Sequence, residues 1–237
     1  MEMKIISSFT PNFSKKKRTK KEIKFVIIHY TGMQSEIESI RRLKNPVSKV
    51  SCHYLINRKG VIIRLVNDMN ISWHAGKSRW KKLTNLNKNS LGIELVNKGH
   101  QFGYQNFSQK QIQSLIWLCK ILKRKFSIKN ENFLGHSDIA PLRKNDPGEK
   151  FPWKKLSSKN LGKWYKNNKK KFFLKEKNME IKFFKNIYKL GYRYFNIHRR
   201  SVRDKRVIKA FQRRYSPNNV SGIIDEKTYE ISHLLIK

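Results

Sequence analysis

KFVIIHYTG, residues 24–32, places four apolar side chains in a row, three of them β-branched, and then stops at a glycine. A short run of this kind reads as a strand buried on both faces, with His29 at its end. Two later runs repeat the pattern. SLGIELVN (90–97) alternates apolar and small or polar residues, and ENFLG (131–135) leads straight into HSDIAP. Between the runs the period changes. Residues 33–44 carry Ile37, Ile40 and Leu43 at near-helical spacing, and Pro46 ends them. Residues 109–126 carry Ile112, Leu115, Ile116, Cys119 and Leu122 on one helical face. Ser108 reads as the N-cap of that helix, and Gln111 as its partner in a capping box. Strands alternating with helices predict an α/β layer structure, a mixed central sheet flanked by helices.

Further elements fall around this frame. Residues 51–56 and 61–66 read as a hairpin turning at 57–60. Residues 67–90 read as irregular and hold WHAG (73–76). Residues 1–22 read as a basic polar arm, broken by Pro11, Asn12 and Ser14. The expected organisation is this arm, an α/β domain over 23–157, a lysine- and asparagine-rich linker over 158–178, and a small all-α domain over 179–237.

The chain has 237 residues, with 54 Lys or Arg against 16 Asp or Glu, a net charge of +38. Such a field favours polyanions, whether nucleic acid, anionic lipid or cell-wall carboxylates. A lysine-rich composition gives the same number without any partner. The basic clusters are scattered, and no motif for reading RNA or DNA accompanies them, so no specific nucleic acid is expected. No apolar run is long enough for a membrane span. Cys52 and Cys119 lie in apolar stretches and read as buried free thiols. The N-terminal apolar segment is too short and polar for a signal peptide, which on sequence alone leaves a cytoplasmic location as the expectation, with periplasm or cell envelope as the alternative. Nothing in the sequence speaks to oligomeric state.

His29 ends the first strand, His136 follows a later one, and Asp146 lies ten positions on, in a loop that reads NDPG. All three would emerge at one edge of the sheet, where α/β folds build sites. Two imidazoles and a carboxylate are a normal zinc set that leaves a fourth position for water. Taken singly, a histidine in such a chain is more often structural.

FVIIHYTG (25–32), WHAG, SLGIELVN and GHSDIAPLRKNDPGEKFPW (135–153) follow one another in the order seen in the zinc-dependent N-acetylmuramoyl-L-alanine amidases of type 2, which the chain resembles over residues 23–157. That family includes phage lysozyme-type amidases and peptidoglycan recognition proteins. The resemblance implies Zn2+ bound by His29, His136 and Asp146, Glu94 as general base and Lys144 as electrostatic stabiliser. It also implies that His74, His53, Tyr30 and Asn89 contact substrate. The implied reaction is hydrolysis of the amide between N-acetylmuramic acid, or its 1,6-anhydro form, and L-alanine in peptidoglycan or muropeptides. The alternative on the same fold is a non-catalytic peptidoglycan-binding protein. Near the C-terminus, Val207, Phe211, Gln212, Gly222, Asp225 and Thr228 resemble a helical peptidoglycan-binding domain, with Asp225 as the N-cap of the last helix.

Overall fold

A computed structural model describes residues 3–166 and 178–237. In chain order, β1 (Ile5–Ser7), β2 (Phe13–Lys17), β3 (Phe25–Tyr30), α1 (Glu36–Lys44), β4 (Tyr54–Ile56) and β5 (Ile62–Arg64) come first. Next come β6 (Asn70–Ser72), β7 (Arg79–Trp80), β8 (Leu83–Thr84), β9 (Ser90–Leu95), α2 (Gln109–Phe126), β10 (Phe133–Gly135), α3 (His136–Ile139) and α4 (Trp153–Ser157). The chain ends in α5 (Met179–Leu190), α6 (Asp204–Tyr215) and α7 (Glu226–Leu234).

The main sheet has six strands in the order β1-β5-β4-β9-β3-β10. Only β4 and β5 pair antiparallel, so the sheet is mixed, as expected. A mostly parallel sheet must be covered on both faces. Alternation divides the work. Val26 and Ile28 of β3 join Leu91, Ile93 and Leu95 of β9 and the apolar stripe of α2 in one core. Phe25 and Ile27 point the other way, into a second core with Leu134, Trp80 and Leu86.

The C-terminal helices belong to that second core. Phe183, Phe184 and Ile187 of α5, with Val207 and Phe211 of α6, share one hydrophobic cluster with Phe25 and Ile27 of the sheet. About half of the expected linker over 158–178, residues 167–177, lies outside the described residues.

Two local expectations change. Residues 1–22 are not a free arm: β1 adds to the sheet edge beside β5, and β2 pairs with β6. The reason is polar as much as apolar. Asn12 donates to the carbonyls of Leu43, Asn45 and Val50, and Arg18 is buried against the carbonyls of Asp68, Asn87, Lys88 and Ser90. At the start of α2, Ser108 accepts from the Gln111 N–H at 3.1 Å, but the Gln111 side chain turns inward. It donates to Ile56 O and Val96 O and ties the helix to the sheet. The expected cap at Asp225 is present, accepting from the Thr228 N–H at 2.7 Å. Both cysteines are buried and free, and burial pushes both thiols up.

Candidate metal centre

β3, β9 and β10 run parallel, so their C-terminal ends meet at one edge of the sheet. His29 is the next-to-last residue of β3. His136 follows β10 directly and opens α3. The loop after α3 returns Asp146 to the same point, where Ser137 N–H donates to Asp146 O at 2.8 Å. The outcome is a compact triangle. His29 Nδ1 lies 2.9 Å from His136 Nδ1 and 3.0 Å from Asp146 Oδ2, and the third edge is 3.1 Å. Three ligands around a tetrahedral ion with bonds of roughly 2.0–2.1 Å would stand about 3.3 Å apart, so the residues fit a zinc-sized ion with an open fourth position.

The surroundings support the fit. His136 Nε2 lies 3.2 Å from both Ala75 O and Arg143 Nη2, which leaves Nδ1 as the ring nitrogen that faces His29 and Asp146. Burial, and then the neighbouring His136, lower the His29 imidazole to about 4, although Asp146 pulls the other way. Burial raises the Asp146 carboxyl, but the two imidazoles outweigh it and hold the group well below the usual carboxylate range. Basic nitrogens crowded against a carboxylate and nearly closed to solvent are a donor set for a cation.

A cleft of about 640 Å3 opens in front of the triangle. Glu94 stands directly beside His29 in the register of β9 and β3, on the same face of the sheet, and lines the cleft. Its Oε2 is buried and has no hydrogen-bond partner. Burial and the charge of Asp146 push its carboxyl up to about 8, with Lys144 opposing. Lys144 lines the cleft as well. Tyr30 forms part of the wall, its hydroxyl 2.9 Å from His100 Nδ1.

The other expected contacts fall elsewhere. His53 is fully buried and does not line the cleft: Gly92 N–H donates to its Nδ1 at 3.0 Å, and Arg18 lies 2.7 Å from its Nε2. Asn89 sits before β9, at the far end of that strand from Glu94, and donates to Glu22 O. His74 reaches the cleft floor, but both its ring nitrogens are engaged inward. Several cleft residues were not singled out from sequence. Trp73 and His100 line the wall, and Arg143 hydrogen-bonds Ala75 O and Lys77 O beside His136. The RKND motif was the only signal for Arg143; His100 sits in a polar loop with none.

Comparison with known proteins gives a consistent result. The family model described as N-acetylmuramoyl-L-alanine amidase (Amidase_2) matches residues 19–149. N-acetylmuramoyl-L-alanine amidase AmiD of Escherichia coli (strain K12) is 35% identical over 231 residues, 91% of this chain and 83% of AmiD. The solved complex of E. coli AmiD with anhydro-N-acetylmuramic acid-L-Ala-D-gamma-Glu-L-Lys superposes with a TM-score of 0.81 at 32% identity, covering 94% of this chain and 91% of the chain in that complex. AmpDh3 of Pseudomonas aeruginosa, in complex with an anhydromuramic pentapeptide, also gives 0.81, at 29% identity and 91% coverage of each chain.

Proposed function

Because this chain belongs to the N-acetylmuramoyl-L-alanine amidase family and is an enzyme of that activity, we propose that it works through a zinc ion held by His29, His136 and Asp146. Its substrate is a peptidoglycan fragment. The solved relatives hold anhydro-muramyl peptides, and that form is the one assigned here. The observation that carries the reading is the triangle of Nδ1, Nδ1 and Oδ2 beside the unpartnered Oε2 of Glu94.

A zinc ion held by these three residues would supply a Lewis acid and lower the pKa of a water to about 7. The chain supplies the rest. Glu94 takes the proton of the attacking water on Oε2 and returns it to the departing alanine nitrogen. A carboxylate oxygen with no hydrogen-bond partner of its own, lining the cleft beside His29, is free to accept that proton and give it back. The Lys144 ammonium meets the negative charge that grows on the lactyl carbonyl oxygen, a role worth roughly 3–4 kcal/mol for one good donor. Tyr30, backed by His100 and Tyr104, forms a fixed wall of the cleft for the sugar or peptide.

Residues 179–237 are assigned a polymer-holding role, raising local substrate concentration without adding reacting groups. Arg206, Lys209 and Arg213 of α6 support this, because they share a groove with Arg143 and Lys144 at the margin of the cleft. Stem peptides carry carboxylates that suit such a surface.

Mass spectrometry of products from intact sacculi and from soluble anhydro-muropeptides tests the reading. Free stem peptide is expected, and exhaustive chelation should abolish it. Glu94→Gln should keep bound zinc and lose about 100-fold or more in kcat. Muropeptide binding without any peptide release would favour the non-catalytic alternative.

A further inference from the structure

His74 stands directly behind His29. Its Nδ1 is 3.1 Å from His29 Nε2, and its Nε2 is 3.1 Å from Ser90 Oγ. Ser90 Oγ is in turn 2.6 Å from Leu86 O. The protons along this file are fixed from its far end. A carbonyl oxygen only accepts, so the single hydroxyl proton of Ser90 goes to Leu86. Toward His74 the hydroxyl then offers a lone pair, and His74 must carry its proton on Nε2. A neutral ring protonated there is bare at Nδ1 and accepts from His29 Nε2–H. His29 is left bare at Nδ1, the atom facing His136 and Asp146.

The ring has a built seat. On β9, a Cβ at Gly92 would come within 2.4 Å of His74 Cγ, so only glycine leaves the space. The His53 ring closes the other side, with centroids 5.8 Å apart at 73°. Asn87 Oδ1 accepts from the backbone N–H of His74 at 3.1 Å and of Ala75 at 2.7 Å. The side chain is thus held at its backbone, at its face and at both nitrogens.

We propose that His74, oriented by Ser90, is a positioning residue that keeps the His29 proton on Nε2 and so presents a bare Nδ1 to the metal position. This replaces substrate contact as its role, and it rests on the metal-hydrolase reading, since a bare Nδ1 there is useful only to a cation. Outer partners of ligating histidines commonly change metal affinity by about 10–100-fold when removed.

Two measurements on the full chain test it. In 15N-labelled protein stripped of metal, long-range 1H–15N spectra should show His29 and His74 both protonated on Nε2. Zinc titrated against a chromophoric chelator should bind about 10–100-fold more weakly to His74→Ala. His74→Asn places an amide oxygen where Nδ1 stood and should recover part of the loss. Ser90→Ala should cost less than His74→Ala and leave the His74 ring as a mixture of tautomers. Wild-type His29 protonated on Nδ1 would overturn the proposal. So would a folded His74→Ala that binds zinc within about twofold of wild type. If His74→Ala fails to fold, the wild-type spectrum decides. Wild-type muropeptide hydrolysis, run alongside, separates this role from the assigned reaction. Tight zinc binding with these tautomers but no cleavage supports the role and removes the reaction; cleavage with Nδ1-protonated His29 does the reverse.

Discussion

His136, His29, His74 and His53 stand in a buried file, with ring centroids 4.5, 5.2 and 5.8 Å apart from one neighbour to the next. The file makes the metal-free protein sensitive to acid. The native pKa values of His29, His53 and His74 lie below the usual value of 6.5 because burial penalises the charged ring. Between His29's native value of about 4 and 6.5, the unfolded chain binds more protons than the native one, so stability falls as pH drops through that window. Glu94, raised to about 8 by burial, works in the opposite direction between 4.5 and 8. Three imidazoles against one carboxyl should leave a net loss. Urea midpoints of chelated protein are expected to be lower at pH 5.5 than at pH 7.5, and an equal or higher midpoint at pH 5.5 would contradict lowered pKa values at His29, His53 and His74. The three residues of the triangle stood out in the sequence because one motif, GHSDIAPLRKNDPG, carries two of them at a fixed spacing. His53 and Asn89 were not, because which face or strand end a residue occupies is decided by register, and a one-residue change reverses the face.

At the scale of elements, long periodic segments were readable and short ones were not. The expected bounds of α2 coincide with those observed, since a five-residue apolar stripe and a capping serine mark its body and its start. β1 and β2 were missed. Each is only three to five residues long and offers almost no period, and β2 reads as part of a basic run. Their docking depends on Arg18, one more cation by composition but buried at its place in the fold. Its guanidinium donates to Asp68 O at 2.8 Å and Ser90 O at 2.6 Å, joining the first segment to the loop before β9. Burial lowers its pKa to about 10, with Asp68 partly compensating. Arg18→Met keeps the bulk and leaves these carbonyls without a donor. It should cost roughly 2–4 kcal/mol in urea unfolding, as expected for buried acceptors losing a charged partner. A change below about 0.5 kcal/mol would mean that water replaces the guanidinium and that β1 and β2 hold themselves.

For the whole molecule, the informative contact joins the C-terminal helices to the edge of the sheet. Asp138, two residues after His136, is buried at 1% exposure. Its Oδ2 accepts from Gly135 N–H at 2.8 Å and from Arg214 of α6 at 2.5 Å, and its Oδ1 accepts from the Tyr192 hydroxyl at 2.6 Å. Arg214 also donates to Phe133 O in β10 and lies over the Trp153 ring, its guanidinium carbon 4.0 Å from the centroid. The C-terminal helices therefore grip the short turn that presents His136, in addition to covering the second face of the sheet. Sequence suggested a module joined by a linker, because helical periodicity describes each helix but not the surface it packs on. Arg214→Met should be costly, roughly 3–5 kcal/mol, since it strands a buried carboxylate. Replacing both partners, Arg214→Met with Asp138→Leu, should cost clearly less than the two single changes added together, because no unpaired charge is left inside. The turn would still lose its hydrogen bonds to Gly135 and Tyr192. Zinc affinity, read by chelator competition on the folded double variant, is therefore expected to fall even where stability recovers. Wild-type affinity in that variant would show that α3 holds His136 without help from the C-terminal helices. An additive loss in urea would show that the Asp138–Arg214 pair is not coupled.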